Sequence, residues 1–151
     1  MASIKKFEAL LASHRRLALD TSIFIYLFEQ HQKYAHLCAK VIDRFDEGRS
    51  DGIASSIAIS EILTLPMKQK NAEIVSLYEH VFRSLPHFSF IDIDYAAAKA
   101  AAVLRAEYGI LLADALHIAC AMKGGATVFI TNDKKLKRMK DIAIACLADY
   151  V

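Results

Sequence analysis

Short apolar runs alternate with amphipathic helical segments along nearly the whole chain, and this alternation limits the possible folds more than any other feature. Residues 17–19, 52–55, 88–93, 126–130 and 142–147 read as strands. They are apolar on both faces, as strands are when helices cover both sides of a sheet. Between them, residues 3–13, 23–28, 32–47, 57–65, 70–84, 95–107 and 111–122 carry helical patterns. Thr21 or Ser22 is expected to cap the second helix, and Ser55 or Ser56 the helix after the second strand. Pro66 is expected to end that helix, and Gly124-Gly125 the last long one. Residues 134–140 read as a short basic helical turn. Strands separated by helices, joined by right-handed crossovers, predict a three-layer α/β/α sandwich with a central parallel, Rossmann-like sheet. In such sheets ligands bind beyond the carboxyl ends of the strands, near the point where strand order reverses.

The chain has 151 residues, the length of about one domain. Residues 1–151 are read as a single unit, in which 1–14 form an added N-terminal helix. Hydrophobic residues make up 55% and charged residues 24%, which excludes a disordered chain. Uncharged stretches run to about nine residues, against the roughly 18 or more that span a bilayer, so no membrane partner is expected. The N-terminal stretch carries charges throughout and does not read as a signal peptide. Three cysteines, Cys38, Cys120 and Cys146, fit reduced thiols better than a disulfide framework. A cytoplasmic location is therefore expected. The net charge of +2 is too small to imply a nucleic-acid partner by itself.

Four carboxylates stand in unusually apolar surroundings. Asp20 ends the first strand. Glu61 is the only charge between Asp51 and Lys68, and Asp114 the only one between Glu107 and Lys123. Asp133 follows the fourth strand. An ionised carboxylate in an apolar interior costs several kcal/mol even after relaxation. A chain tolerates that cost where acids converge on a shared cation. Mg²⁺ or Mn²⁺ fits, because hard ions take oxygen ligands and keep several waters. The competing account is four separate helix caps and surface charges; it is weaker for Asp114 and Glu61, whose helices read as buried.

Leu19-Asp20-Thr21-Ser22, Ser60-Glu61-Ile62, Asp114 to Ala119 and Thr131-Asn132-Asp133 occur in an order and spacing that resemble the PIN-domain nucleases. More narrowly, the set is similar to the VapC-like toxins of prokaryotic toxin–antitoxin pairs. The resemblance runs from Leu17 to the final strand. It implies the PIN variant of the Rossmann-like fold and a Mg²⁺- or Mn²⁺-dependent endoribonuclease leaving 5′-phosphate and 3′-hydroxyl ends. Asp20, Glu61, Asp114 and Asp133 match the family's acidic quartet, which implies that they are the catalytic residues and metal ligands. Ser22 and Thr131 match small polar positions beside those acids, as hydrogen-bonding supports. Leu136 stands near a position where the family often has an aromatic. The resemblance also implies an RNA substrate, a homodimer and an antitoxin partner.

Lys134, Lys135 and Lys137 follow Asp133 directly, with Arg138 and Lys140 beyond. They are either phosphate contacts, with salt-dependent RNA binding, or a solvated face. Arg15 and Arg16 carry the same ambiguity in a poorer location. His117, three residues after Asp114, shares its helical face; it is either a metal ligand or a packed, hydrogen-bonded core residue. Tyr26, Phe28, Tyr34 and the apolar face of 70–84 exceed what one core is expected to hide, which marks a partner or dimer face. Two other readings compete: a non-catalytic protein- or RNA-binding module of the same fold, and a haloacid-dehalogenase-like phosphatase. The phosphatase needs a second acid two residues after Asp20, where this chain has Ser22.

Overall fold

The structure is a computed structural model and describes residues 2–151. Seven α-helices and five strands are found among these residues: α1 Ala2–Ala12, β1 Arg16–Leu19, α2 Thr21–Phe28, α3 Ala35–Asp46, β2 Asp51–Ser55, α4 Ile57–Lys68, α5 Ala72–Ser84, β3 Phe88–Ile91, α6 Tyr95–Tyr108, α7 Leu112–Lys123, β4 Val128–Thr131 and β5 Ala143–Cys146. Two 3₁₀ turns complete the chain, Lys134–Arg138 and Leu147–Tyr150. The strands form one sheet in the order β3-β2-β1-β4-β5. Every neighbouring pair is parallel, with Leu17 opposite both Gly52 and Val128.

Alternation along each strand divides the core into two halves. Leu17, Leu19, Val128 and Ile130 face a layer containing Phe7, Ile23, Phe24, Val41 and Phe45. Ala18, Ile53 and Phe129 face the other way, against Ala101, Leu104, Ala115, Ile118 and Ala119 of α6 and α7. The sheet is therefore buried on both faces, and the expected three-layer α/β/α sandwich is the observed one. Helix α1 buries Phe7 and Leu11.

Three local expectations are corrected. Pro66 lies inside α4 rather than ending it. Proline removes one backbone donor, but here its ring is buried and the last turn continues to Lys68. The cap of α2 is Asp20 itself, not Thr21 or Ser22: the Thr21 N–H donates to Asp20 Oδ1 at 2.8 Å. Helix α4 is less buried than its composition suggests, since Glu61, Leu65 and Met67 are exposed. Helix α7 is buried from Ala115 to Ala121, while Leu111 and Leu112 at its start stand in solvent. Much of the aromatic excess is absorbed locally. Phe28 stacks on Tyr78 at 4.1 Å and Phe24 meets Phe82 edge-on at 5.8 Å, whereas Leu77 remains exposed.

Candidate functional site

Strands β1 and β4 are neighbours, and the chain leaves them toward opposite sides of the sheet, Ile23 and Phe24 joining one core layer and Leu136 the other. Both carry an acid just past their carboxyl ends. Asp20 donates its backbone N–H to the Ile130 carbonyl at 2.9 Å, which extends the ladder by one residue. Its Oδ1 caps α2, and its Oδ2 accepts the Thr131 hydroxyl at 2.6 Å. Thr131 in turn accepts the Asp133 N–H at 3.1 Å. One buried hydroxyl thus ties together the acids after two adjacent strands. Asp133 Oδ1 accepts the Lys135 N–H at 2.9 Å and so caps the 3₁₀ turn.

Glu61 comes from α4 and meets α2 and α7. The Thr21 hydroxyl donates to its Oε1 at 2.7 Å, and His117 Nε2 lies 2.6 Å from the same oxygen. His117 Nε2 is also 3.2 Å from Thr21 Oγ1 and 3.8 Å from Asp20 Oδ1. The imidazole is only 2% exposed, and its Nδ1 has no hydrogen-bond partner. Of the two readings of His117, the buried, hydrogen-bonded one describes its contacts. Its partner, Glu61, is 56 positions away in sequence, which spacing alone does not reveal.

Electrostatics relate the acids to one another. Asp114, half-buried in the first turn of α7, is pushed above the usual aspartate range, first by burial and then by the charges of Asp20 and Asp133. Burial also raises Asp20, whose side chain is 14% exposed; His117 and the Thr131 and Thr21 hydrogen bonds oppose that rise. Glu61, at 38% exposure, moves the other way, because the His117 hydrogen bond favours its charged form more than burial disfavours it. The four acids therefore share one region beyond the carboxyl edge of the sheet. As the side chains stand, no three His, Cys, Asp or Glu groups among the described residues form a ready metal cage. The donor set is nonetheless all-carboxylate, the chemistry that hard divalent ions require. The Ser22 hydroxyl beside it is buried without a partner, so its expected hydrogen bond to the acids is not made.

The basic residues separate into two groups. Lys134 and Lys135 are exposed next to Asp133, while the Lys137 ammonium pairs with Asp149 at 2.7 Å. Arg15 and Arg16 flank Asp51 at 3.6 and 3.8 Å, at the amino ends of the strands and on the opposite edge from the acids. Asn132 was not singled out by sequence reasoning. Its amide donates to the Tyr26 hydroxyl at 3.1 Å and accepts the Ala148 N–H at 3.0 Å, fixing the segment between Thr131 and Asp133. Leu136 is buried, a packing role.

Several solved structures share this architecture. VapBC2 from Rickettsia felis, bound to a DNA fragment from their promoter, aligns with a TM-score of 0.67 at 22% identity, covering 87% of this chain and 98% of that one. DNA-bound VapBC from Salmonella typhimurium gives the same values. A toxin–antitoxin complex from Klebsiella pneumoniae aligns with a TM-score of 0.62 at 19% identity, covering 87% and 97%. At these identities the likeness is one of fold. No curated protein matches the chain. The PIN domain model matches residues 17–142, which includes both strand-end acids, Glu61 and Asp114. The chain belongs to the PIN-domain family.

Proposed function

We propose that this protein is a divalent-metal-dependent endoribonuclease, and that it acts as the toxin of a toxin–antitoxin pair. The observation that carries the chemistry is the convergence of acids at the strand ends: the Thr131 hydroxyl joins the Asp20 carboxylate to the Asp133 N–H, and half-buried Asp114 feels both charges, which with burial raise its carboxyl. Such an arrangement is costly for the protein alone and is relieved by a cation. Membership of the PIN family supports the nuclease reading, and the structural neighbours, two DNA-bound VapBC assemblies and a toxin–antitoxin complex, support the partner.

Asp20 and Asp114 are assigned as principal ligands of Mg²⁺ or Mn²⁺, with Glu61 and Asp133 as further ligands or as groups that orient water. When bound, the metal lowers the pKa of a coordinated water and offsets charge on the phosphate being attacked. Thr131 fixes the Asp20 carboxylate through its 2.6 Å hydrogen bond, leaving Oδ1 shared with the α2 cap. Lys134 and Lys135 present positive charge beside Asp133, where an RNA phosphate would pass; Lys137 is held by Asp149. Exposed Leu65, Met67 and Leu77 offer an apolar face for a second copy or an antitoxin. The phosphatase reading lacks its general acid, since Ser22 is the residue two after Asp20. No helix among the described residues is long and apolar enough to cross a membrane. A cytoplasmic site of action is part of this proposal.

The test is cleavage of a single-stranded oligoribonucleotide with Mn²⁺, with Mg²⁺ and with EDTA, beside an identically prepared Asp20→Asn variant. Cleavage is expected only with metal and only in the parent. A folded Asp20→Asn variant as active as the parent would refute the assignment. Metal binding and partner binding without cleavage of any RNA would instead favour a non-catalytic module.

A further inference from the structure

We infer that His117 is a positioning residue for Glu61: with Thr21, it saturates one carboxylate oxygen and leaves the other as the oxygen presented to a metal. The inference rests on the metal-dependent reading above and adds a residue to it. Two other helices converge on Glu61 Oε1. Thr21, in the first turn of α2, donates its hydroxyl at 2.7 Å, and His117 of α7 approaches at 2.6 Å. A threonine hydroxyl has one proton, and here it points at Glu61. His117 Nε2 must therefore carry the hydrogen in its own short contact, because an ionised carboxylate only accepts. That assigns the ring proton to Nε2 from the hydrogen-bond network. Nε2 also lies 3.2 Å from Thr21 Oγ1, so the three groups form a closed ring of contacts. No hydrogen bond engages Glu61 Oε2 among the described residues.

Burial makes this arrangement more than incidental. His117 is 2% exposed in the apolar middle of α7, and its Nδ1 meets no donor or acceptor. A core position that needed only volume would be served by leucine without an unpartnered nitrogen. The site keeps an imidazole there although one nitrogen gains nothing, so the value of the residue lies in Nε2. Glu61 itself is 38% exposed on a helix surface. A free glutamate there would sample many rotamers. Held at Oε1 by two donors from two other helices, it has one orientation, and a metal would meet it through a single oxygen. His117 Nε2 is 3.8 Å from Asp20 Oδ1, beyond hydrogen-bond distance, so the imidazole lies between the two acids while bonding to one.

The experiment is a Mn²⁺ titration of the intact chain followed by electron paramagnetic resonance, on the parent, His117→Leu, His117→Gln and Thr21→Val. Glutamine places an amide N–H near the imidazole Nε2–H; leucine does not. The expected results are Mn²⁺ affinity reduced about 10–100-fold in His117→Leu, restored to within a few-fold in His117→Gln, and reduced in Thr21→Val. The parent's bound Mn²⁺ should show no coupling to an imidazole nitrogen. A folded His117→Leu protein that binds Mn²⁺ like the parent would overturn the inference while leaving the metal site intact. Imidazole coupling in the parent would overturn it too, by making His117 a ligand. If His117→Leu does not fold, Thr21→Val decides by the same criterion. A parent that binds no Mn²⁺ would overturn the metal reading and this inference with it.

Discussion

At the scale of single residues, the acids make opposite demands on pH. Asp114 and Asp20 are raised above the ordinary 3.8, and Glu61 is lowered below the ordinary 4.5. A carboxyl with a raised folded-state pKa binds protons more readily in the folded protein. Its contribution to stability is thus greatest at low pH and declines as pH rises through the raised value. Glu61 contributes in the other sense: its stabilisation is present above 4.5 and is lost as pH falls through its lowered value. Asp114→Asn removes a charge that Asp20 and Asp133 repel. In EDTA at neutral pH the variant should melt above the parent by roughly 2–4 °C, the shift that about 1 kcal/mol gives a chain of this size. The gap should close below the ordinary aspartate range, where both states of the parent are protonated. Mn²⁺ should raise the parent's melting temperature by mass action and leave the variant's nearly unchanged. A variant that melts below the parent at neutral pH would mean that Asp114 is a stabilising charge. That Asp20 and Asp114 carry charge in largely buried surroundings was legible from sequence, whereas the exposure of Glu61 was not. The role of Thr21 was not, because a hydroxyl beside an acid in a helix start reads first as a cap, and its true acceptor is 40 positions away.

At the scale of elements, the tightest constraint is where β2 meets α3. Gly52 pairs with Leu17 on one side and Phe88 on the other. A Cβ there would sit 2.3 Å from Phe45 Cζ, inside the ring's own volume. Phe45 is fully buried and packed against Phe88 at 5.9 Å, so it has little room to retreat. Gly52→Ala should therefore destabilise the protein by about 1–3 kcal/mol, read as a lower urea midpoint with an unchanged slope. An unchanged midpoint would show that the Phe45 ring moves freely. Such an interlock is invisible in sequence, where Gly52 reads only as the start of a strand. The strands themselves were legible because burial on both faces leaves uninterrupted apolar runs. Their ends were less so: β4 extends to Thr131, and β3 stops at Ile91. Thr131 is the instructive case. As a strand residue it is fully buried, and its hydroxyl is available to both Asp20 and the Asp133 N–H. Pro66 misled because a proline one turn from a helix end leaves most of the helix's hydrogen bonds intact, so tertiary packing decides where the helix stops.

At the scale of the whole molecule, the chain closes on itself outside the stretch matched by the family, residues 17–142. Helix α1 lies before that stretch and the 3₁₀ turn Leu147–Tyr150 after it. They meet: the Phe7 and Tyr150 rings are 5.0 Å apart, and Phe7, Leu11 and Leu147 join Leu37, Cys38 and Val41 in one core. This junction belongs to the layer that faces Leu17, Leu19, Val128 and Ile130. Those are the residues that carry β1 and β4 up to Asp20 and Thr131. Helix α1 therefore completes the layer beneath the strands that present the site, without contributing a group to the acids. Phe7→Ala should cost about 3–5 kcal/mol, the usual range for emptying a fully buried aromatic position. The loss should appear in urea unfolding, while Mn²⁺ affinity of the protein that remains folded stays within a few-fold of the parent. Equal stability of the two would show that α1 is an appendage whose docking adds nothing. A large loss of Mn²⁺ affinity in well-folded variant would show instead that the layer built by α1 sets the spacing of the strand-end acids, and that the site depends on a segment outside the family's shared core.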